Sequence, residues 1–260
     1  MKKLKQLFLT FKLPLYHRQI PKWRGSFIEW AGLENHLFHN HDNPPLETSE
    51  QTAVMRPVSK KHILRYPLIQ YGVHNGQASI LAMNEGADQL EQLLSQKEWQ
   101  INWKGKTIDL QVDQAKLDWP AVQLSETLHR YQLQHWLPLN QANYLWWTDE
   151  STNLLERIAK LESILISNLL TFATGIQWKV PDQIKVHLQN IRRTKKLRFH
   201  GTPMLAMDIS FDTNLILPDN IRLGRAVSHG FGELKPNSRE VKHRNNNRFR
   251  ATTKQHFESI

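Results

Sequence analysis

Three histidines fall within six residues in the run His36-Leu37-Phe38-His39-Asn40-His41-Asp42. In an extended segment, side chains two residues apart point the same way, so His39 and His41 would project together. An imidazole has an ordinary pKa of about 6.5. Near pH 7 one ring can therefore take a proton while another gives one. RNA transesterification needs little more. A base removes the ribose 2′-OH proton, the oxygen attacks the adjacent phosphate, and an acid protonates the departing 5′-oxygen. The products are a 2′,3′-cyclic phosphate and a 5′-OH, and no metal is required. Lys22, Arg24 and Arg65 are candidates to stabilise charge on the phosphorane. Two other readings of these residues stay open. With Asp42, the His-x-His pair has the donor types for zinc or manganese, although no further ligand cluster is evident. The loop can also be a set of capping or solvated histidines. The spelling His-Asn-His does not by itself mark the metal-dependent nuclease of that name, whose ββα frame has widely separated ligands.

Two segments of the last third have the chemistry to hold a polyanion. Arg192, Arg193, Lys195, Lys196 and Arg198 lie within seven residues, and no acid occurs between Asp182 and Asp208. At the tip of a hairpin they would form a cationic finger suited to phosphates. The second segment, Gly224-Arg225-Ala226-Val227-Ser228-His229-Gly230-Phe231-Gly232, ends in Gly-Phe-Gly. Such a turn permits close backbone approach, and its N–H groups can cradle a phosphate. It fits neither a Walker loop nor a dinucleotide fingerprint. Gly224, Arg225, His229, Gly230, Phe231 and Gly232 therefore join the five cations as the expected RNA-contacting set.

The charge distribution agrees with this placement. The chain has 260 residues and a formal charge of +10. Residues 176–260 hold 16 Lys+Arg against 7 Asp+Glu, and the first 175 hold 18 against 17. A field concentrated in one third of a chain draws polyanions. Nine Trp and ten Phe supply the material for a packed core. No apolar run is long enough to span a bilayer, and the start lacks the apolar stretch of a signal peptide. Cysteine is absent, which removes disulfides and thiolate metal sites and fits a cytoplasmic protein.

The elements that must position these residues come in two series. Leu7, Leu9, Phe11 and Leu13 alternate with other residues as in a half-buried strand, ended by Pro14. Trp23, Phe27 and Trp30 fall at helical spacing. After a polar loop from about 34 to 60, Leu64–Val73 and Gln77–Met83 flank the turn His74-Asn75-Gly76 as a hairpin, with Pro67 favouring an edge. Glu85–Leu94 has a helix composition, and Trp99–Val112 returns to a strand pattern. In the second series Val122–Leu139 reads as extended. Asp149 or Ser151 caps a long helix to about Thr174, with Gly175 as its stop. Gln183–Ile191 and Pro203–Phe211 read as strands, and Pro218–Ala226 as a short helix. Each series runs β-α-β-β-α-β, the ferredoxin-like order. The boundary falls near residue 117. The expected division is an N-terminal domain over 1–117, a C-terminal RNA-binding domain over 118–236 and a basic tail over 237–260.

A Gly-rich stretch ending in Gly-Phe-Gly, near the end of a basic chain and after two such series, resembles the CRISPR repeat-processing endoribonucleases, the Cas six family. The block Leu64-Arg65-Tyr66-Pro67-Leu68-Ile69-Gln70-Tyr71 is similar to the first-domain strand of the subtype B branch. The resemblance runs from about Leu4 to Lys235. The family's loop begins Gly-x-Gly, whereas Ala226 stands at the second glycine here. The resemblance implies an α+β fold of two tandem ferredoxin-like domains packed together, the second with a degenerate last helix. It implies metal-independent cleavage of CRISPR precursor transcripts into guide RNAs, with repeat RNA as partner and no cofactor. Catalytic histidines of that branch follow the first helix in an His-x-His-like arrangement, which matches His39 and His41, with His36 in reserve. An effector complex or a second copy of the chain are further partners it suggests. Some relatives of this fold bind guide RNA and cut nothing, so a non-catalytic RNA-binding subunit is the alternative.

Overall fold

The computed structural model describes residues 1–32, 36–39, 66–95, 98–199 and 201–236, with His36 and His39 described by backbone alone. The histidine loop beyond His39, Arg65 and the basic tail from 237 lie outside the described residues.

The first half builds one sheet. Its strands are β2 (Gln6–Pro14), β3 (Ile69–His74), β4 (Gln77–Met83) and β7 (Val112–Asp118), in the spatial order β3-β4-β2-β7, all antiparallel. With α1 (Ile20–Ala31) after the first strand and α3 (Glu85–Leu94) after the third, this is the ferredoxin-like arrangement. The expected alternation in β2 and the stripe on α1 both face the core. Phe11, Trp23 and Phe27 are fully buried, with Phe11 and Trp23 ring centroids 5.2 Å apart. Burying each such ring stabilises the fold by roughly 2–3 kcal/mol. The hairpin β3–β4 forms as expected. Its turn works because Asn75 and Gly76 both take positive φ. The Trp99–Val112 segment differs from expectation. Instead of one strand it makes a small separate hairpin, β5 (Gln100–Trp103) and β6 (Lys106–Asp109), folded at Lys104-Gly105 with φ of 55° and 80°.

The second half repeats the scheme. β8 (Ala121–Trp136), β9 (Val186–Phe199), β10 (Thr202–Ile216) and β11 (Glu233–Pro236) form a sheet in which β8 pairs with β11 on one side and β10 on the other, and β9 is an edge. β1 (Lys2–Lys3) also pairs with β8, so the start of the chain is sewn into the second sheet. α5 (Leu154–Gly175) covers it. Its cap is Asn153, which accepts from the Glu156 N–H at 2.9 Å while Glu156 reaches back to the Asn153 N–H at 3.2 Å. This reciprocal box displaces the cap expected at Asp149 or Ser151, because only Asn153 has Glu three residues on. A short helix, α4 (Gln141–Thr148), follows β8 where sequence reading placed none. Residues 218–226 are not helical. They form turns and a single bridge, Arg222 to Glu233, held by backbone pairing with the Gly232–Leu234 segment.

The two halves share a packed boundary. Leu4, Tyr66, Leu81 and Met83 from the first half belong to the same core cluster as Trp136, Phe172, Phe211 and Leu223. Polar ties cross the same seam. Tyr66 Oη donates to the Arg222 carbonyl at 2.7 Å, the Arg222 N–H to Gln70 Oε1 at 3.0 Å, and Gln6 Nε2 to the Asp219 carbonyl at 2.7 Å. The Arg222 side chain, 3% exposed, occupies the space that a Cβ at Gly72 would need.

Candidate functional site

The glycine loop is closed at its base by Leu223 N–H donating to the Gly232 carbonyl at 2.8 Å and Gly232 N–H donating to the His135 carbonyl at 3.2 Å. Ala226, Gly230 and Gly232 all take left-handed φ, with a single 3₁₀ turn (Val227–His229) between the first two. Ala226 thus adopts the conformation a glycine would take there, at a cost of roughly 1–2 kcal/mol. The Phe231 ring is buried, packed with Leu137 and Ala206. It anchors the loop from below, and any ligand contact at Phe231 is left to its backbone. Gly224 lies tight against the Trp136 indole. Arg225 is exposed, and its Nη1 donates to the Leu139 carbonyl at 3.1 Å. His229 is partly exposed, with its ring edge-on to Phe199 at 5.1 Å.

The basic run is not a hairpin tip. Arg192, Arg193, Lys195, Lys196 and Arg198 all lie along the edge strand β9, and the hairpin turns further on, between Phe199 and Thr202. An edge strand tolerates a charged run because its outer flank meets only solvent. Four of the five are exposed, and Lys195 is partly buried, its Nζ 3.8 Å from Asp208 Oδ2. Arg192 donates to Gln132 Oε1 at 2.8 Å. Gln132, Gln134, Arg192, Arg193 and Asp208 line a concave pocket on this part of the sheet. The cations form a strip rather than a finger.

Of the expected catalytic residues, His41 lies outside the described residues, and His36 and His39 have only their backbone placed, in the single-turn helix α2 (His36–His39). Phe38 anchors α2 by packing against Phe27 of α1, ring centroids 5.9 Å apart. The glycine loop meets the other end of α1, where Ile20 abuts Gly230. Seven residues separate these two contacts, about 10 Å along the helix. Among the expected phosphate stabilisers, Lys22 is exposed, while Arg24 turns inward over the Tyr71 ring at 6.0 Å, where burial lowers its guanidinium pKa.

Two histidines that the sequence reading did not single out meet at the glycine loop. His17, in the 3₁₀ turn before α1, packs against His135 of β8 with ring centroids 4.2 Å apart and planes tilted by 41°. His17 Nε2 lies 3.1 Å from the Gly230 carbonyl. A carbonyl only accepts, so the ring proton is on Nε2 and Nδ1 keeps its lone pair in the neutral ring. The His17 ring also meets Phe231 edge-on at 5.4 Å. His135 is held in an unusual backbone state. It has φ 54°, and it sits in a β-bulge where three steps on β8, Leu133 to Trp136, oppose two on β10, Ile209 to Met207. Its N–H donates to Asp208 Oδ1 at 2.7 Å. Burial lowers both imidazoles below their ordinary range, His135 to about 4, with the neighbouring His17 adding to the effect. Both rings are neutral at pH 7. The signal for His135 was present in the sequence. Tyr131 and Leu133 keep the two-residue period of buried positions, but the next fully buried ring is Trp136, a phase slip of one residue. Nothing local marks His17, whose partner is 118 positions away.

The Cas6b N-terminal domain family matches residues 55–119, and the Cas6b C-terminal domain family matches residues 123–237. Between them they span well over half of the chain, which therefore belongs to the Cas6 family. The closure of two ferredoxin-like sheets around a glycine loop is the structural side of that membership. A solved structure described as Cas6b superposes with TM-score 0.75 at 21% identity, covering 90% of this chain and all of that one. A second, described as the CRISPR RNA processing endoribonuclease Cas6b, gives TM-score 0.64 at 18% identity over the same shares. An uncharacterized protein of Methanocaldococcus jannaschii, MJ0978, is 24% identical over 136 residues, 52% of this chain and 90% of its own length.

Proposed function

We infer that this chain is an endoribonuclease that binds CRISPR repeat RNA and cuts the precursor transcript into guide RNAs. Membership of the Cas6 family over both halves carries this reading. The solved relative described as a CRISPR RNA processing endoribonuclease supports the activity, and the β9 strip beside the glycine loop supports polyanion binding. The strip engages backbone phosphates without reading bases, while in the loop the Gly230 and Gly232 N–H groups are taken by the Val227 and His135 carbonyls.

The reaction is a metal-independent transesterification. One of His39 and His41 takes the 2′-OH proton at the scissile nucleotide, the 2′-oxygen attacks the phosphorus, and the other protonates the 5′-oxygen as its bond to phosphorus breaks. The ends are a 2′,3′-cyclic phosphate and a 5′-OH. What supports these two residues is their spacing and their match to the histidine segment of the resembled branch, with His36 in reserve. Repeat RNA incubated with the protein in EDTA tests the reading. Cleavage should proceed in EDTA, and a substrate with a 2′-deoxy group at the scissile nucleotide should bind and stay whole. Loss of cutting in EDTA, or cutting of the deoxy substrate, overturns the mechanism. Tight binding of repeat RNA with no cutting under any condition identifies a non-catalytic RNA-binding subunit instead.

A further inference from the structure

Two imidazoles have no role in the reaction above, yet they occupy the junction of its main parts. His17 enters from the first half, His135 from the second, and the glycine loop closes over them through Gly230 and Phe231. We propose that His17 and His135, together with the Lys195 ammonium, bind a phosphodiester of the RNA against the Gly230–Gly232 turn. This rests on the RNA-binding reading of the chain and adds a site to it.

The geometry favours an anion here. Among the described residues, His17 Nδ1 and both ring nitrogens of His135 make no hydrogen bond to protein. They are not sealed in either, since the two side chains are partly exposed. Two packed rings with three unused nitrogens have no structural need to be histidine, because apolar or amide side chains would fill the same space. The backbone is bent to place one of them. A non-glycine residue at φ 54° within a strand costs roughly 1–2 kcal/mol. That strain is stabilised by the Asp208 carboxylate on the His135 N–H, and the same carboxylate faces Lys195. Asp208 therefore sets the position of both a ring and a cation beside the loop.

The charges facing the pair decide which ligand fits. Lys195 approaches from β9, Lys235 and Glu233 from β11, Arg222 from the segment before the loop and Asp208 from β10. Three cations against two carboxylates leave the surroundings net positive. Burial, with that field adding to it, holds both imidazoles neutral in the free protein. A bound phosphodiester places a negative charge in contact with the rings, which favours their protonated form, so a ring that is neutral alone gains a proton when the anion arrives. Solvent supplies the proton, and it sits on a ring nitrogen that then donates to a phosphate oxygen.

Linkage fixes the direction of the consequence. The bound state holds more protons than the free state, so affinity rises as pH falls. The rise approaches tenfold in Kd per pH unit for one proton and stops near the free-state pKa, about 4 for His135. The test uses the full chain and a CRISPR repeat RNA blocked at the cut site by 2′-deoxy substitution. Binding is measured from pH 8.5 to 5.5, with circular dichroism confirming the fold at each pH. Titration calorimetry in buffers of different ionisation enthalpy counts the proton. The wild type should tighten steadily with falling pH and take up close to one proton. His17→Gln and His135→Gln, alone and combined, should match it at pH 8.5, lose about tenfold at pH 6 and take up little or no proton. Glutamine at 17 keeps a donor for the Gly230 carbonyl, which protects the loop. A wild-type affinity flat with pH, or a double variant with the wild-type slope and proton count, overturns the site while leaving the RNA-binding reading standing. Absence of any binding by the wild type overturns both.

Discussion

Gly232→Ala measures how tightly the glycine loop is closed. Gly232 has φ 68°, a region that costs an L-residue about 1–2 kcal/mol. An added Cβ would also meet the Leu223 backbone, colliding with its carbonyl oxygen and lying 3.2 Å from its nitrogen. Backbone cannot rotate aside as a side chain can, so the base of the loop must open. Opening breaks the Leu223 N–H to Gly232 carbonyl bond at 2.8 Å and strains the Gly232 N–H to His135 carbonyl bond at 3.2 Å. Each is worth about 1 kcal/mol net. The summed cost is about 3–4 kcal/mol. Gly105→Ala is the control. Gly105 has φ 80° with nothing within 4 Å of the built Cβ, so only the conformational cost of about 1–2 kcal/mol applies. Urea unfolding followed by circular dichroism compares the two at constant m-value. The Gly232 variant should lose about 2 kcal/mol more than the Gly105 variant, and its affinity for repeat RNA should fall while that of the Gly105 variant is kept. Equal destabilisation by the two substitutions refutes the argument that the loop is clamped against the Leu223 backbone.

The double variant His39→Ala with His41→Ala should cut repeat RNA at least about 10²-fold more slowly than wild type while binding it with similar affinity. Cleavage at the wild-type rate would move the chemistry elsewhere. Replacing Arg192, Arg193, Lys195 and Lys196 together by Ala should weaken RNA binding and flatten the plot of log affinity against log salt by up to about 3 for a single-stranded RNA. An unchanged slope removes β9 from the interface. His17 and His135 bear on stability without RNA. Their folded pKa values lie below the ordinary value of 6.5, so the folded state binds fewer protons than the unfolded one. Their contribution is fully present above pH 6.5 and is lost as pH falls from there toward about 4, the value for His135. The urea midpoint of the wild type should therefore drop more steeply over pH 6.5–4.5 than that of the variant carrying both His17→Gln and His135→Gln. Parallel curves would contradict the burial of the pair.

The local rules of sequence found much of this fold. The two-residue period in β2, the Trp23-Phe27-Trp30 stripe, the Asn75-Gly76 turn and the Glu85–Leu94 helix all depend on neighbours in the chain, and all form as expected. Failures occur where distant partners decide. The charged run of β9 looks like a turn because five cations leave little apolar pattern, yet twelve of its residues pair with β10 on its inner flank. Residues 218–226 were expected to be a helix. Tyr66 and Gln70 take the Arg222 carbonyl and N–H, the groups a helix would use itself. The Lys104-Gly105 turn is marked only by its glycine within an otherwise continuous strand pattern. For the candidate site, the glycine loop and the cations stand out by residue type. The His17–His135 pair does not, because it exists only once the two halves are packed.

The Arg222 side chain, filling the place of a side chain at Gly72, ties two positions 150 residues apart into one choice. A side chain at 72 would push the Arg222 guanidinium from its place, and a shorter residue at 222 leaves a void against Ser79 that a methyl group at 72 would begin to fill. The two sites are therefore coupled. Each replacement costs more alone than beside the other, so the seam between the halves drifts most readily through linked substitutions. A chimera that joins the first half of this chain to the second half of a distant relative would meet that constraint before any contact with RNA is made.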